Sequence, residues 1–93
     1  DYPGLFNNVT FSVGGNAGYG VGCYNKGTVS VGGDAGYGVG CYNKGTVSVG
    51  GNAGDGAGWG NKGTVSVKGK IKSISRDNYG KIYESGRKVR WAI

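Results

Sequence analysis

Apolar and polar residues alternate along most of this chain with a period of two. Numbered from Phe11 as position 1, odd positions hold Phe or Val, Val, Gly, Ala, Tyr or Asp, Val or Ala, and Cys or Trp. Even positions hold Ser, Gly, Asn or Asp, Tyr, Lys and Thr. On a β-strand this alternation gives one apolar face and one polar or bare face. Within one unit it predicts two strand segments, over 28–32 and 37–42. Gly33-Asp34-Ala35-Gly36 and Asn43-Lys44-Gly45 supply the turns, with residues that tolerate positive φ. Helix is disfavoured, because each interior Gly costs about 1 kcal/mol relative to Ala.

The pattern is also a repeat. Residues 11–28, 29–46 and 47–64 are three copies of an 18-residue unit, residues 1–10 end as a partial copy, and a fourth opens at Val65 and then diverges. A short exact period means stacked copies of one supersecondary unit, none of which buries its apolar face alone. The chain therefore divides into a repeat array, 1–69, and a basic C-terminal cap or docking segment, 70–93.

Two all-β folds satisfy the pattern. In a parallel β-solenoid each unit is one coil, and equivalent residues stack at about 4.8 Å. In an antiparallel Gly-rich meander, Asn-Lys-Gly is a three-residue hairpin loop ending in a bulge glycine. Cys23 and Cys41 occupy equivalent positions of consecutive units. Coil stacking puts them about 4.8 Å apart, within reach of a disulfide, whereas a meander puts them about 9–10 Å apart, out of reach. The solenoid is thus the expected fold, with a β-hairpin cap and the meander as alternative. It predicts columns of Val13, Val31, Val49 and Val67, of Ala17, Ala35 and Ala53, and of Asn25, Asn43 and Asn61. Stacked Asn side chains can hydrogen-bond along such a column. Outward-facing Gly36, Gly38 and Gly40 would leave a bare face that a second sheet can approach.

The units, such as TVSVGGDAGYGVGCYNKG over 28–45, resemble the Gly/Asn-punctuated repeats of microbial cell-surface and adhesin β-solenoid proteins. The likeness covers about residues 6–69. It implies a secreted structural, adhesive or wall-associated role and identifies no ligand.

Composition narrows the picture further. Glycine makes up 23 of 93 residues, but the single Pro excludes collagen, and the regular Val and Tyr exclude a disordered linker. Through residue 64 the charges cancel: Lys26, Lys44 and Lys62 against Asp1, Asp34 and Asp55. The net +6 lies beyond, where eight Lys and Arg face Asp77 and Glu84. In this tail Lys70–Ser75 reads as a strand, and Lys81–Glu84 and Arg87–Trp91 flank Ser85-Gly86 as a hairpin. Its basic residues can discourage aggregation at an open solenoid end. Lys68, Lys70, Lys72, Arg76, Arg87, Lys88, Arg90 and Trp91 are also candidates for subunit docking or for a polyanion.

Catalytic chemistry is not expected. There is no His, the five carboxylates form no pair set by the repeat, and the recurring Ser30, Ser48 and Ser66 have no base beside them. Gly58–Gly63 fits GxGxxG but leads into a strand, which excludes a phosphate loop. Gly50–Gly58 approaches a calcium β-roll nonapeptide, yet Tyr19 and Tyr37 hold the place of Asp55 in the other units. No cofactor, metal or membrane span is expected, and nucleic acid is not an expected partner. Asn8-Val9-Thr10 is a glycosylation sequon at Asn8, and a chain opening on Asp suits a processed segment.

Cys23 and Cys41 can be reduced core fillers, a disulfide within the chain, or a link between chains. The first functional expectation is an extracellular structural protein that assembles with itself into a fibre, sheath or surface layer. The second is an adhesin module that binds a glycan or wall polymer through the tail or the Tyr19/Tyr37 row. A remote third is ice binding by the Thr28/Ser30, Thr46/Ser48 and Thr64/Ser66 files.

Overall fold

Successive TVSV segments lie beside one another in parallel. The computed structural model describes residues 4–89, and in it the strands are β1 (Thr10–Val13), β2 (Thr28–Val31), β3 (Thr46–Val49), β4 (Thr64–Val67), β5 (Lys81–Glu84) and β6 (Arg87–Val89). They form one sheet in sequence order. β1 to β5 are parallel and β6 runs antiparallel on β5. The register between β1 and β4 is that of the repeat, Thr10↔Thr28↔Thr46↔Thr64 and Ser12↔Ser30↔Ser48↔Ser66. The fold is a parallel β-solenoid of about four turns with rungs of about 18 residues, and the meander is excluded.

The core follows from the alternation. Val29, Val31, Val47, Val49, Val65, Val67 and Ile82 point inward from the strands, joined by Val21, Val39, Ala35, Ala53 and Ala57 from the rest of each coil. β-branched side chains suit this packing, since strands stacked on one buried face favour Val and Ile.

The second predicted strand segment does not form. Residues 37–42 make two successive tight turns, closed by Cys41 N–H to Gly38 C=O (3.3 Å) and Asn43 N–H to Gly40 C=O (3.1 Å). The cause is backbone sign: Gly38, Gly40 and Tyr42 have φ of 75°, 71° and 53°, and residues alternating with positive φ curl the chain instead of extending it. The bare outer glycine face is lost for the same reason. Gly40 faces inward, where an added Cβ would lie 2.5 Å from Val65 Cγ2, and Gly58 meets Ile82 Cδ1 at the same distance. Gly36 lies against the Gly18 backbone of the coil below it.

The fourth copy completes its coil despite its divergent sequence. Ile71 and Ile74 bridge in parallel to Ala53 and Ala57, and β5 stacks on β4. Lys70–Ser75 is therefore a pair of isolated bridges and not a continuous strand. β5 and β6 form the expected hairpin around Ser85 and Gly86, with φ of 53° and 81°. Two positive φ values in a two-residue loop match the right-handed twist of the flanking strands.

Candidate functional site

Asn25, Asn43, Asn61 and Asn78 stack inside the turn that enters each strand, all fully buried. Each Nδ2 donates to the Oδ1 of the next: Asn7 to Asn25, Asn25 to Asn43, Asn43 to Asn61 and Asn61 to Asn78, all at 2.9 Å. Asn43 Nδ2 also donates to Gly45 C=O (3.0 Å) and Thr64 C=O (3.2 Å), and its Oδ1 accepts from Gly45 N–H (3.1 Å). Such full use of a carboxamide is what permits its burial. Among the described residues no buried side-chain polar atom lacks a partner.

A second column stands at the turn leaving the strand. Asn16 Oδ1 accepts from Asp34 N–H, Asp34 Oδ1 from Asn52 N–H, and Asn52 Oδ1 from Lys70 N–H, at 2.8–2.9 Å. Only the oxygen is used, which explains why Asp and Asn interchange there. The glycine before each recipient is required, because a Cβ on Gly33, Gly51 or Gly69 would collide with that oxygen.

Cys23 and Cys41 form a disulfide within the chain between consecutive coils, with Cα atoms 4.5 Å apart. Neither Cys is left for a link between chains. Beside the disulfide runs an aromatic file, Phe6, Tyr24, Tyr42 and Trp59, with successive ring centroids 5.1, 5.0 and 5.7 Å apart. Tyr24 and Tyr42 hold left-handed φ values of 57° and 53°. In the third unit Gly60 takes that backbone position, and the ring moves one residue back to Trp59, in the column of the cysteines.

The basic candidates do not converge. Lys68 borders a trough along the Ser12, Ser30, Ser48 and Ser66 file. Lys70 and Arg87 line a different hollow with Glu84 and Ser85. Lys72 pairs with Asp55 at 3.9 Å, Arg76 is exposed on the fourth coil, and Lys88 is exposed on β6. Arg90 and Trp91 lie outside the described residues. Asn8 is exposed, as a sequon acceptor requires. The Thr and Ser files stand on the sheet as expected, but Lys81 and Tyr83 continue them on β5.

The feature that the repeat pattern concealed is a groove of about 300 Å³ lined by Tyr37, Gly38, Gly56, Trp59, Ser73, Ile74, Ser75 and Asp77. Ser73 Oγ donates to Asp55 Oδ1 (3.1 Å) and accepts from Gly56 N–H (3.0 Å), while Ser75 Oγ accepts from Asp77 N–H (3.1 Å). The signal in the sequence was the departure of the third unit from the first two between Asp55 and Gly60. Among the described residues no group of three or more His, Cys, Asp or Glu is placed to hold a metal ion, and no helix is long and apolar enough to cross a membrane. No protein-family model, curated protein or solved structure matches this chain.

Proposed function

We propose that this chain is a module of a secreted, surface-displayed adhesive protein, a stapled solenoid that presents its outer side-chain files to a glycan or wall polymer. The observation that carries this reading is the periodic exterior. Thr, Ser, Lys and aromatic residues each recur once per coil, held in register by the parallel sheet and the two Asx columns. A repetitive surface suits a repetitive ligand, because weak contacts at successive coils add through effective concentration. The disulfide agrees with a place outside the cell.

The exposed outer edge of β1 favours a second reading, end-to-end assembly. Against it, β6 reverses the strand direction at the other end, so a following copy cannot continue the parallel coil across it. The interchain disulfide and the bare glycine face that would have supported assembly are both missing.

The deciding experiment combines electron microscopy and sedimentation, with and without reductant, with pull-down on insoluble cell-wall and polysaccharide preparations. Dispersed monomers retained by a polymer are expected. Ordered filaments that retain nothing would transfer the function to self-assembly.

A further inference from the structure

In an array of near-identical units, what every copy keeps serves stacking, and what one copy changes serves something else. The first two units differ only at Phe11/Val29 and Asn16/Asp34, and neither change alters the coil. The third departs from both at four places, Asp55, Ala57, Trp59 and Gly60, all within six residues. Two of these have packing reasons. Ala57 is fully buried and makes room for the larger Ile74, which bridges to it. Gly60 occupies the left-handed position against the ring of Tyr42. The other two are outward: Trp59 is 46% exposed and the Asp55 side chain 49%. No core requirement calls for either.

Trp59 lines the groove, and Asp55 stands behind it, hydrogen-bonded to Ser73 of its wall. Where Tyr19 and Tyr37 stack edge to face, Asp55 ends the tyrosine row and leaves Tyr37 as one wall. Trp59 ends the aromatic file and is the other. Between them Gly38 and Gly56 carry no side chain, and a Cβ at Gly56 would lie 3.5 Å from the Tyr37 ring.

We propose that this groove binds one pyranose unit of a neutral polysaccharide, the glycan contact of the adhesive reading above, on which it rests. A pyranose offers a C–H face and a rim of hydroxyls. Tyr and Trp rings supply large apolar surface for the first. The Asp77 carboxylate and the Ser75 hydroxyl accept hydrogen bonds from the second. The volume of about 300 Å³ lies at the small end of ligand sites. Asp77 is the one charged residue lining the groove, and nearby Lys72 is paired with Asp55, so an acidic polymer is disfavoured there.

The test is affinity gel electrophoresis of the intact protein in dextran, galactomannan, mixed-linkage β-glucan and hydroxyethylcellulose, with alginate as the acidic probe. Retardation by at least one neutral polymer is expected. Asp77→Asn and Trp59→Ala should each weaken it about tenfold, the effect of losing a hydrogen bond to a charged group or a ring contact, while Asp34→Asn, the same charge change at a turn where the other units carry Asn, leaves it unchanged. Trp59→Ala also loses a stacking partner, so the decisive variant is Asp77→Asn, with an unchanged circular dichroism spectrum and urea midpoint. A wild-type protein retained by neutral polymer, with Asp77→Asn equally retained, removes the groove and leaves the adhesive reading. Retention by alginate alone also removes the groove and moves recognition to the basic residues. Retention by no polymer overturns both.

Discussion

Asn43 shows how much a single buried amide carries. It donates to two carbonyls and to Asn61, and accepts from Asn25 and from a backbone N–H. Asn43→Ala removes hydrogen bonds to groups on three consecutive coils, each worth about 0.5–1.5 kcal/mol, and leaves a cavity in the buried column. A loss of at least about 3 kcal/mol is expected in urea unfolding. Asn16→Ala, at an exposed position where one backbone N–H loses a partner that water can replace, should cost about 1 kcal/mol or less. Glycines divide in the same way. Gly40→Ala forces a side chain into left-handed φ and against Val65, for an expected loss of about 3 kcal/mol by the same assay. Gly14→Ala meets nothing within 4 Å and should stay within about 0.5 kcal/mol of the parent.

The strands and the rest of each coil were unequally legible. Val29 and Val31 announced β2 because period-two alternation among β-branched residues has one interpretation. The segment 37–42 has the same alternation, but glycine at every second place is compatible with extended backbone or with a chain of positive-φ turns, and only packing against Val65 selects the turns. The fourth coil was obscured by length: Asn61 and Asn78 are 17 residues apart, one fewer than Asn43 and Asn61. The strict period thus broke although Asn78-Tyr79-Gly80 keeps the turn. The groove was hidden in plain departures, since Trp59 and Asp55 are adjacent to Ser73 and Asp77 only once that shorter coil is laid down. Of the terminal elements, β6 is the one whose removal tests the sheet. Truncation after Ser85 bares the outer edge of β5, and open parallel edges recruit further strands. Concentration-dependent association should follow in sedimentation velocity, where the full chain stays monomeric.

At the scale of the molecule, each coil touches its neighbours through backbone hydrogen bonds along its whole path, including the turns, as in Tyr24 N–H to Cys41 C=O and Lys44 N–H to Asn25 C=O. Stability is then close to a sum over coils and interfaces, and the disulfide is a local addition to that sum. It closes an 18-residue span, worth about 3 kcal/mol in the chain-entropy treatment. Reduction should therefore lower the melting temperature by roughly 15 °C, as scanning calorimetry with and without reductant would show. The same covalent link has a mechanical meaning. A module held by its two ends and pulled can release chain before Cys23 and beyond Cys41, but the residues between them stay out of the load path. About 60 Å of extension is withheld under oxidising conditions. Trp59, Ser73 and Asp77 lie in the part that can unravel, so tension strong enough to peel the last coils dismantles the groove and spares the stapled loop. A module built in this way lengthens by unwinding its outer coils while the S–S bond carries the tension in place of the loop it closes, and the intact loop is the template from which those coils rewind.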